Sequence, residues 1–252
     1  DSGDTNWFIE TFYDPEIGVG YVFIANLVAS IFKLIFLIPE LSIIRKGKMV
    51  WSYLKPMLKY TIPLLFVGMA GIINETLDRV LLKRLLVKEV GLDEALIQVG
   101  IYGANYKLSI LITMFIQAYR YAAEPFFFNQ EKEKNSKELY AKIMNYFVIV
   151  VCTIFLFVMF YIDVLKYFIN NEILWQGLTI VPILLIANVC LGIYYNLSIW
   201  YKLTYKTGYG ALISIFGAII TVVLNIILIP IMGYEGSAWT TLICYSVMVL
   251  VS

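Results

Sequence analysis

The 252-residue chain contains no histidine, and that absence removes several chemistries at once. A Ser-His-Asp site, an imidazole metal site and a histidine switch near neutral pH are all excluded. Cysteine is scarce: Cys152, Cys190 and Cys244 each sit in an apolar run and share no metal-ligand spacing. They read as small buried hydrophobes rather than as metal or disulfide cysteines. Charge is sparse as well. Charged residues make up 15% of the chain, against about 25% in an ordinary soluble domain, and the net charge is +1. Nothing in that balance suggests nucleic acid as a partner, and no metal or organic cofactor is expected.

What the chain has instead is apolar surface. Hydrophobic residues make up 61% of it. A soluble fold has no interior large enough for that excess, so much of it must face lipid. A bilayer core about 30 Å thick needs roughly 20 apolar helical residues. Seven windows qualify: 18–39, 61–82, 99–121, 146–168, 178–200, 211–231 and 237 to the end. They are long and continuous and lack the period-2 alternation of barrel strands. The expected fold class is therefore all-α, a polytopic transmembrane helix bundle of about seven spans with short Gly/Pro/Asn connections. The chain begins at Asp1 without methionine, carries no signal-peptide pattern, and stops at Ser252 inside an apolar run. It reads as an internal stretch of a longer protein.

Lys and Arg in alternate loops set the expected orientation. One side receives Arg45, Lys46, Lys48, Lys55, Lys59, Lys132, Lys134, Lys137, Lys142, Lys202 and Lys206, and the other receives Lys83, Arg84 and Lys88. The richer side, loops 40–60, 122–145 and 201–210, is expected in the cytoplasm. The polar segment 1–17 is expected outside it.

The window 61–82 holds Glu75, Asp78 and Arg79. Its eleven Leu, Ile, Phe and Val residues contribute about −3 to −7 kcal/mol to insertion, and the three charges would cost about +8 to +10 at mid-helix. An ordinary lipid-facing helix is not favoured, so these side chains are expected to point into the bundle or toward water. Asn74 and Asp78 are four apart, as are Glu75 and Arg79, so the polar groups are expected on one side. Glu75 and Arg79 form an ion pair, line a hydrated cavity, or do both. Lys83 and Arg84 are expected to snorkel to headgroups.

The next window carries Asn105, Ser109, Thr113, Gln117, Arg120 and Glu124, a polar stripe at helical spacing. Arg120 and Glu124 can pair at its cytoplasmic end. Lys107 falls about 140° off the stripe, where it pairs with another helix or anchors at the outer interface. Gly210, Ser214, Gly217, Thr221 and Asn225 form a small-and-polar stripe that reads as close helix packing. Asn188 and Asn196 share a side of their helix and would bond a sugar or a neighbouring helix. Lys33 shares a face with Asn26 and Ser30. Pro63 and Pro182 lie near span starts, where kinks are tolerated. Clusters of Tyr and Phe at 119–128 and of Tyr and Trp at 194–201 read mainly as an aromatic belt.

Four stretches together resemble a known family: IPLLFVGMAGIINETLDRVLL (62–82), GIYGANYKLSILITMFIQAYRYAAEPFFF (100–128), ANVCLGIYYNLSIWYKLTYKTGYGA (187–211) and LNIILIPIMGYEGSAWTTLICY (224–245). The chain resembles bacterial Wzx-type polysaccharide flippases of the multidrug/oligosaccharidyl-lipid/polysaccharide exporter superfamily. The likeness covers nearly its whole length, although none of the stretches is a catalytic signature. The resemblance implies two six-helix lobes around a central cavity, working by alternating access. It implies transport of undecaprenyl-pyrophosphate-linked oligosaccharide across the bacterial cytoplasmic (inner) membrane, for O-antigen, capsule or exopolysaccharide. On that map 18–39 is the last helix of the N-terminal lobe, 40–60 a connector, and 61–252 the C-terminal lobe.

The same resemblance implies a cationic lumen. The substrate-binding candidates are Arg79, Arg120, Lys107, Asn74, Gln117 and Asn188. Glu75, Asp78 and Glu124 are candidates for coupling to Na⁺ or H⁺, or for ion pairing. Lipid-linked oligosaccharide, membrane lipids and polysaccharide polymerase machinery are the implied partners, and no covalent chemistry is expected. Two rivals stand beside this reading. One is a cation-coupled drug or small-molecule exporter of the same superfamily, which a more acidic lumen would favour. The other is a membrane enzyme on lipid-linked sugars, which the short outer loops and missing histidine disfavour.

Overall fold

A computed structural model describes residues 14, 17, 18, 20–44, 50–130 and 136–252. Most of the expected outer loop 1–17, and the basic residues Arg45, Lys46, Lys48, Lys132 and Lys134, lie outside the described residues. The chain divides into two compact units, residues 1–54 and 55–252. The first holds α1, Gly20–Ile44, in which Ser30 Oγ donates to the Asn26 carbonyl one turn back at 2.8 Å.

The second unit contains the bulk of α2 (Trp51–Val90), then α3 (Leu92–Gln130), α4 (Ser136–Phe160), α5 (Val181–Leu203), α6 (Thr207–Met232) and α7 (Tyr234–Val251). Between α4 and α5 run a one-turn helix, Ile162–Leu165, and two 3-10 segments, Lys166–Phe168 and Glu172–Ile180. No strand occurs among the described residues. The protein is an all-α polytopic bundle, and six of its described helices are long and apolar enough to cross a membrane. The seventh expected span, α7, forms as a helix but is not among the six. Its first half carries Glu235, Ser237, Thr240 and Thr241, which lower its hydropathy, and Ser237 and Thr241 bond to Asn225 and Asp78 on other helices.

The helices overrun the apolar windows. At about 1.5 Å per residue the 40-residue α2 is roughly 60 Å long, twice the hydrocarbon core. Hydropathy marks where lipid begins, whereas backbone hydrogen bonding carries the helix on through Lys55 and Lys59. Conversely, the window 146–168 breaks after Phe160, and 178–200 opens in a 3-10 segment before Pro182 starts α5. Proline is tolerated there because its missing N–H has no helical partner in a first turn.

α5 is the central element, packed by α3, α4, α6 and α7. It is apolar nearly all round, as suits a helix packed on most sides with Ile186, Leu197 and Trp200 left exposed. Leu184, Leu185, Ala187 and Tyr194 are all almost fully buried. α6 and α7 form a tight hairpin at Gly233, whose φ of 58° favours glycine. Their close approach depends on Gly236, where a Cβ would run into the Leu228 carbonyl, and on Gly217, which lies against Met248. The small-and-polar stripe on α6 is thus a packing face, as its composition implies.

Large side chains such as Leu65, Phe160, Leu212 and Ile231 stand exposed around the second unit. An apolar perimeter of that extent is the lipid face of a membrane bundle. Cys244 is buried, but Cys152 is exposed on this perimeter and Cys190 half-buried. The expectation of three buried cysteines therefore holds for one of them, because in lipid an apolar side chain has no need to face inward.

Candidate functional site

The buried side of α2 is a stripe at four-residue spacing: Ala70, Asn74, Asp78, Leu82 and Leu86. Its two polar members reach across to α3, α6 and α7. Asp78, 2% exposed, accepts from Tyr102 Oη at 2.9 Å, Asn225 Nδ2 at 2.9 Å and Thr241 Oγ1 at 3.1 Å. Asn225 gives its other N–H to the Thr221 carbonyl and takes a bond from Ser237 Oγ at 3.0 Å. Asn74 accepts from Thr221 Oγ1 at 2.9 Å. One carboxylate, two amides and a set of hydroxyls from four helices therefore form a single polar core. No cation pairs with Asp78 among the described residues, so three neutral donors carry its satisfaction.

Glu75 and Arg79 take another direction. Each lies about 100° around the helix from its buried neighbour. The single polar side expected for α2 is therefore two: Asn74 and Asp78 face inward, while Glu75 is exposed and Arg79 is half-buried. The Glu75–Arg79 ion pair is not formed among the described residues. Arg79 instead lays its guanidinium 4.9 Å from the Tyr106 ring centroid, and its buried Nε has no partner. Such a contact is worth about 0.5–2 kcal/mol depending on how dry it is.

Glu75 opens onto a cleft of about 420 Å³ whose walls include Tyr106, Thr113, Gln117 and Tyr195. Gln117 is shared with an adjoining cleft of about 330 Å³ that holds Arg120 and Glu124. Arg120 stacks 4.1 Å above the Tyr195 ring and donates weakly to Gln117 Oε1 at 3.4 Å. The expected Arg120–Glu124 pair exists but is loose, with Nε 3.8 Å from Oε1. Lys202, from the end of α5, holds the same Glu124 oxygen more closely.

The structure sorts the remaining candidates by position. Gln117, Arg120, Glu124 and Glu75 share the linked clefts. Asn74 does not: it is spent on the buried network, because its side of α2 is the one that packs. Lys107 also stands apart, exposed at a separate groove of about 480 Å³ with Phe168, Ile169 and Asn170. Asn188 is 1% exposed and lines neither cleft, and both its amide atoms lack partners. The polar stripe of α3 divides too. Asn105 is fully buried, donating to the carbonyls of Ile101 at 2.8 Å and Leu174 at 2.7 Å, so this end of the stripe pins the 3-10 segment.

Sequence reasoning missed Tyr102, Tyr106 and Thr241, and it read Tyr195 mainly as part of an aromatic belt. Their types carried no signal in a chain with 19 tyrosines. Only the four-residue spacing of Tyr102 and Tyr106, and of Ser237 and Thr241, placed them on common faces.

These features define a class: a multi-pass helical membrane protein with a buried carboxylate network on one side of α2 and an open charged cleft on the other. A family model described as polysaccharide biosynthesis protein matches residues 7–131, the part of the chain that carries α1, α2 and α3. No curated protein and no solved structure matches the chain.

Proposed function

We propose that the protein moves a lipid-linked oligosaccharide, carried on undecaprenyl pyrophosphate, across the bacterial cytoplasmic membrane by alternating access. The observation that carries this reading is the pair of clefts joined at Gln117, with the Arg120 guanidinium of one held over the Tyr195 ring of the other. A guanidinium in one cleft and aromatic side chains along both, Tyr106 in the first and Tyr121 in the second, suit a ligand with both diphosphate and sugar rings. The match to the polysaccharide biosynthesis family supports the same substrate class. The chain acts without covalent chemistry, and the lysine-rich loop ends face the cytoplasm.

Asp78 is the coupling-ion candidate on this reading. A buried carboxylate ordinarily takes a cation or a full set of donors. Here Asp78 and Thr241 would offer oxygens to Na⁺, or Asp78 would take the proton. Glu75, unpaired at the cleft wall, favours a second reading, a cation-coupled exporter of an organic cation.

The test is surface polysaccharide output in cells whose only copy carries Arg120→Ala, with protein level followed in parallel. Loss of polysaccharide at normal protein level is expected. Normal output would refute the substrate assignment. Cation export that survives Arg120→Ala and fails in Glu75→Gln would establish the second reading.

A further inference from the structure

A cavity of about 530 Å³ lies where the end of α3, the start of α4 and the end of α5 meet. It shares no lining residue with the Glu75 and Arg120 clefts. Its walls are largely apolar, from Phe127, Ala141, Met144 and Leu197, and its size suits a small-molecule chain or ring. Sugars are poorly matched to such walls. Because it sits among helix ends, the cavity falls at the lysine-rich boundary of the membrane and not at its centre.

The rim carries one sign of charge. Lys137 lines the cavity, and Lys206 holds its ammonium 5.4 Å from the ring of Trp200, another lining residue. No carboxylate lines it among the described residues, and neither lysine forms an ion pair there. Within the wall, Asn196 accepts from Tyr119 Oη at 2.8 Å, but its Nδ2 has no acceptor. Lys137 at the opening, and Lys206 beside Trp200 without a carboxylate partner among the described residues, are complementary to an amphiphile with a phosphate head.

We propose that this cavity is a binding site for an anionic glycerophospholipid, with an acyl chain against Phe127, Met144 and Leu197 and its phosphate at the Lys137–Lys206 rim. A lysine beside an anionic lipid surface contributes about 1 kcal/mol, which corresponds to roughly five-fold in preference per cation. The site depends on the membrane-spanning fold and not on the flippase reading, so failure of one leaves the other standing.

Trp200, 50% exposed, supplies the readout. The full chain is reconstituted in bilayers containing brominated phosphatidylglycerol or brominated phosphatidylcholine at equal fraction. The Trp200 signal is taken as the difference from Trp200→Phe. Brominated phosphatidylglycerol is expected to quench it more effectively by up to about 25-fold, about five-fold from each of the two cations. The preference should fall about five-fold in Lys137→Gln and vanish in Lys137→Gln/Lys206→Gln. It should persist in Lys142→Gln, a nearby lysine outside the cavity. Ala141→Phe, which fills the space, should reduce quenching by both lipids while far-ultraviolet circular dichroism stays unchanged. Equal quenching by the two lipids would overturn the proposal. An equal loss of preference in Lys142→Gln would overturn it too, since the effect would then be diffuse surface attraction.

Discussion

Replacing Asp78 by asparagine tests the polar core more sharply than deleting the side chain. The carboxylate accepts two hydroxyls on one oxygen and one amide N–H on the other. An amide in its place cannot satisfy all three. If the amide oxygen faces Tyr102 and Thr241, the new NH₂ meets the Asn225 NH₂, donor against donor. Turning Asn225 over would break its bond from Ser237. If the amide oxygen keeps Asn225 instead, the new NH₂ can donate to Thr241, whose own proton still has the Ser237 carbonyl at 2.9 Å. Only the Tyr102 proton is then stranded, and that is the cheaper arrangement.

A stranded buried hydroxyl costs about 1–3 kcal/mol, although bonds between membrane helices often measure near the lower figure. Asp78→Asn should therefore destabilise by about 1–2 kcal/mol, and Tyr102→Phe by a similar amount through the loss of one bond to a charged acceptor. The double variant should cost little more than either single change, because Tyr102→Phe removes the very proton that Asp78→Asn strands. Reversible unfolding in detergent, followed by tryptophan fluorescence, gives the coupling. Independent sites add within about 0.3–0.5 kcal/mol, so additivity at that level would refute the shared-acceptor geometry. A neutral Asp78→Asn would refute the ionised acceptor, since asparagine is a near isostere of the protonated acid.

Other outcomes follow from single contacts. Gly236→Ala should destabilise by about 1–3 kcal/mol in the same assay, because its Cβ meets the Leu228 backbone, which cannot turn aside as a side chain could. Gly208→Ala, which meets nothing within 4 Å, should be silent. Lys202→Gln should tighten the Arg120–Glu124 pair and lower polysaccharide output at normal protein level, whereas Lys202→Arg should keep it; unchanged output in Lys202→Gln would show that the sharing of Glu124 does not matter. A cysteine at Lys206, in a background with Cys152, Cys190 and Cys244 replaced, should react with an impermeant maleimide only after cells are opened. One at Asn170 should react in intact cells, and the reverse pattern would invert the proposed orientation.

The spans were legible because lipid imposes a length on apolar sequence, and among the described residues each of the seven windows falls mostly on helix. Their ends were not, since nothing in hydropathy records that α2 continues outward to Trp51 or that the chain tightens into a 3-10 helix at Glu172. The site was legible in part for a similar reason. Spacing of four groups residues on a face, so Asn74 with Asp78 and Glu75 with Arg79 could be paired by inspection. Which pair turns inward depends on donors supplied by α3, α6 and α7, and those are separated from Asp78 by up to 163 residues of chain. Tyrosine and threonine are common in any membrane helix, and only proximity turns them into ligands of a carboxylate.

The loosened Arg120 contact has a consequence for the cleft that pairing rules alone would miss. A lone Arg–Glu pair at i,i+4 is locally neutral, and an incoming anion would have to displace the carboxylate. Here Lys202 takes the near position on Glu124 Oε1 and leaves Arg120 Nε at 3.8 Å. One carboxylate thus serves two cations, and the surplus positive charge rests on the guanidinium that already stacks on Tyr195. Stacking holds Arg120 in place, and among the described residues the only bond on the outer edge of its fork is the long one from Nη1 to Gln117 Oε1, which a bidentate acceptor would displace. Glu75, in the adjoining cleft and without an ion-pair partner, limits the net field, so a strongly anionic ligand would be drawn to Arg120 and held off the α2 wall. A cleft with that polarity would orient the proposed elongated, diphosphate-bearing substrate end to end, which a uniformly cationic opening would not do.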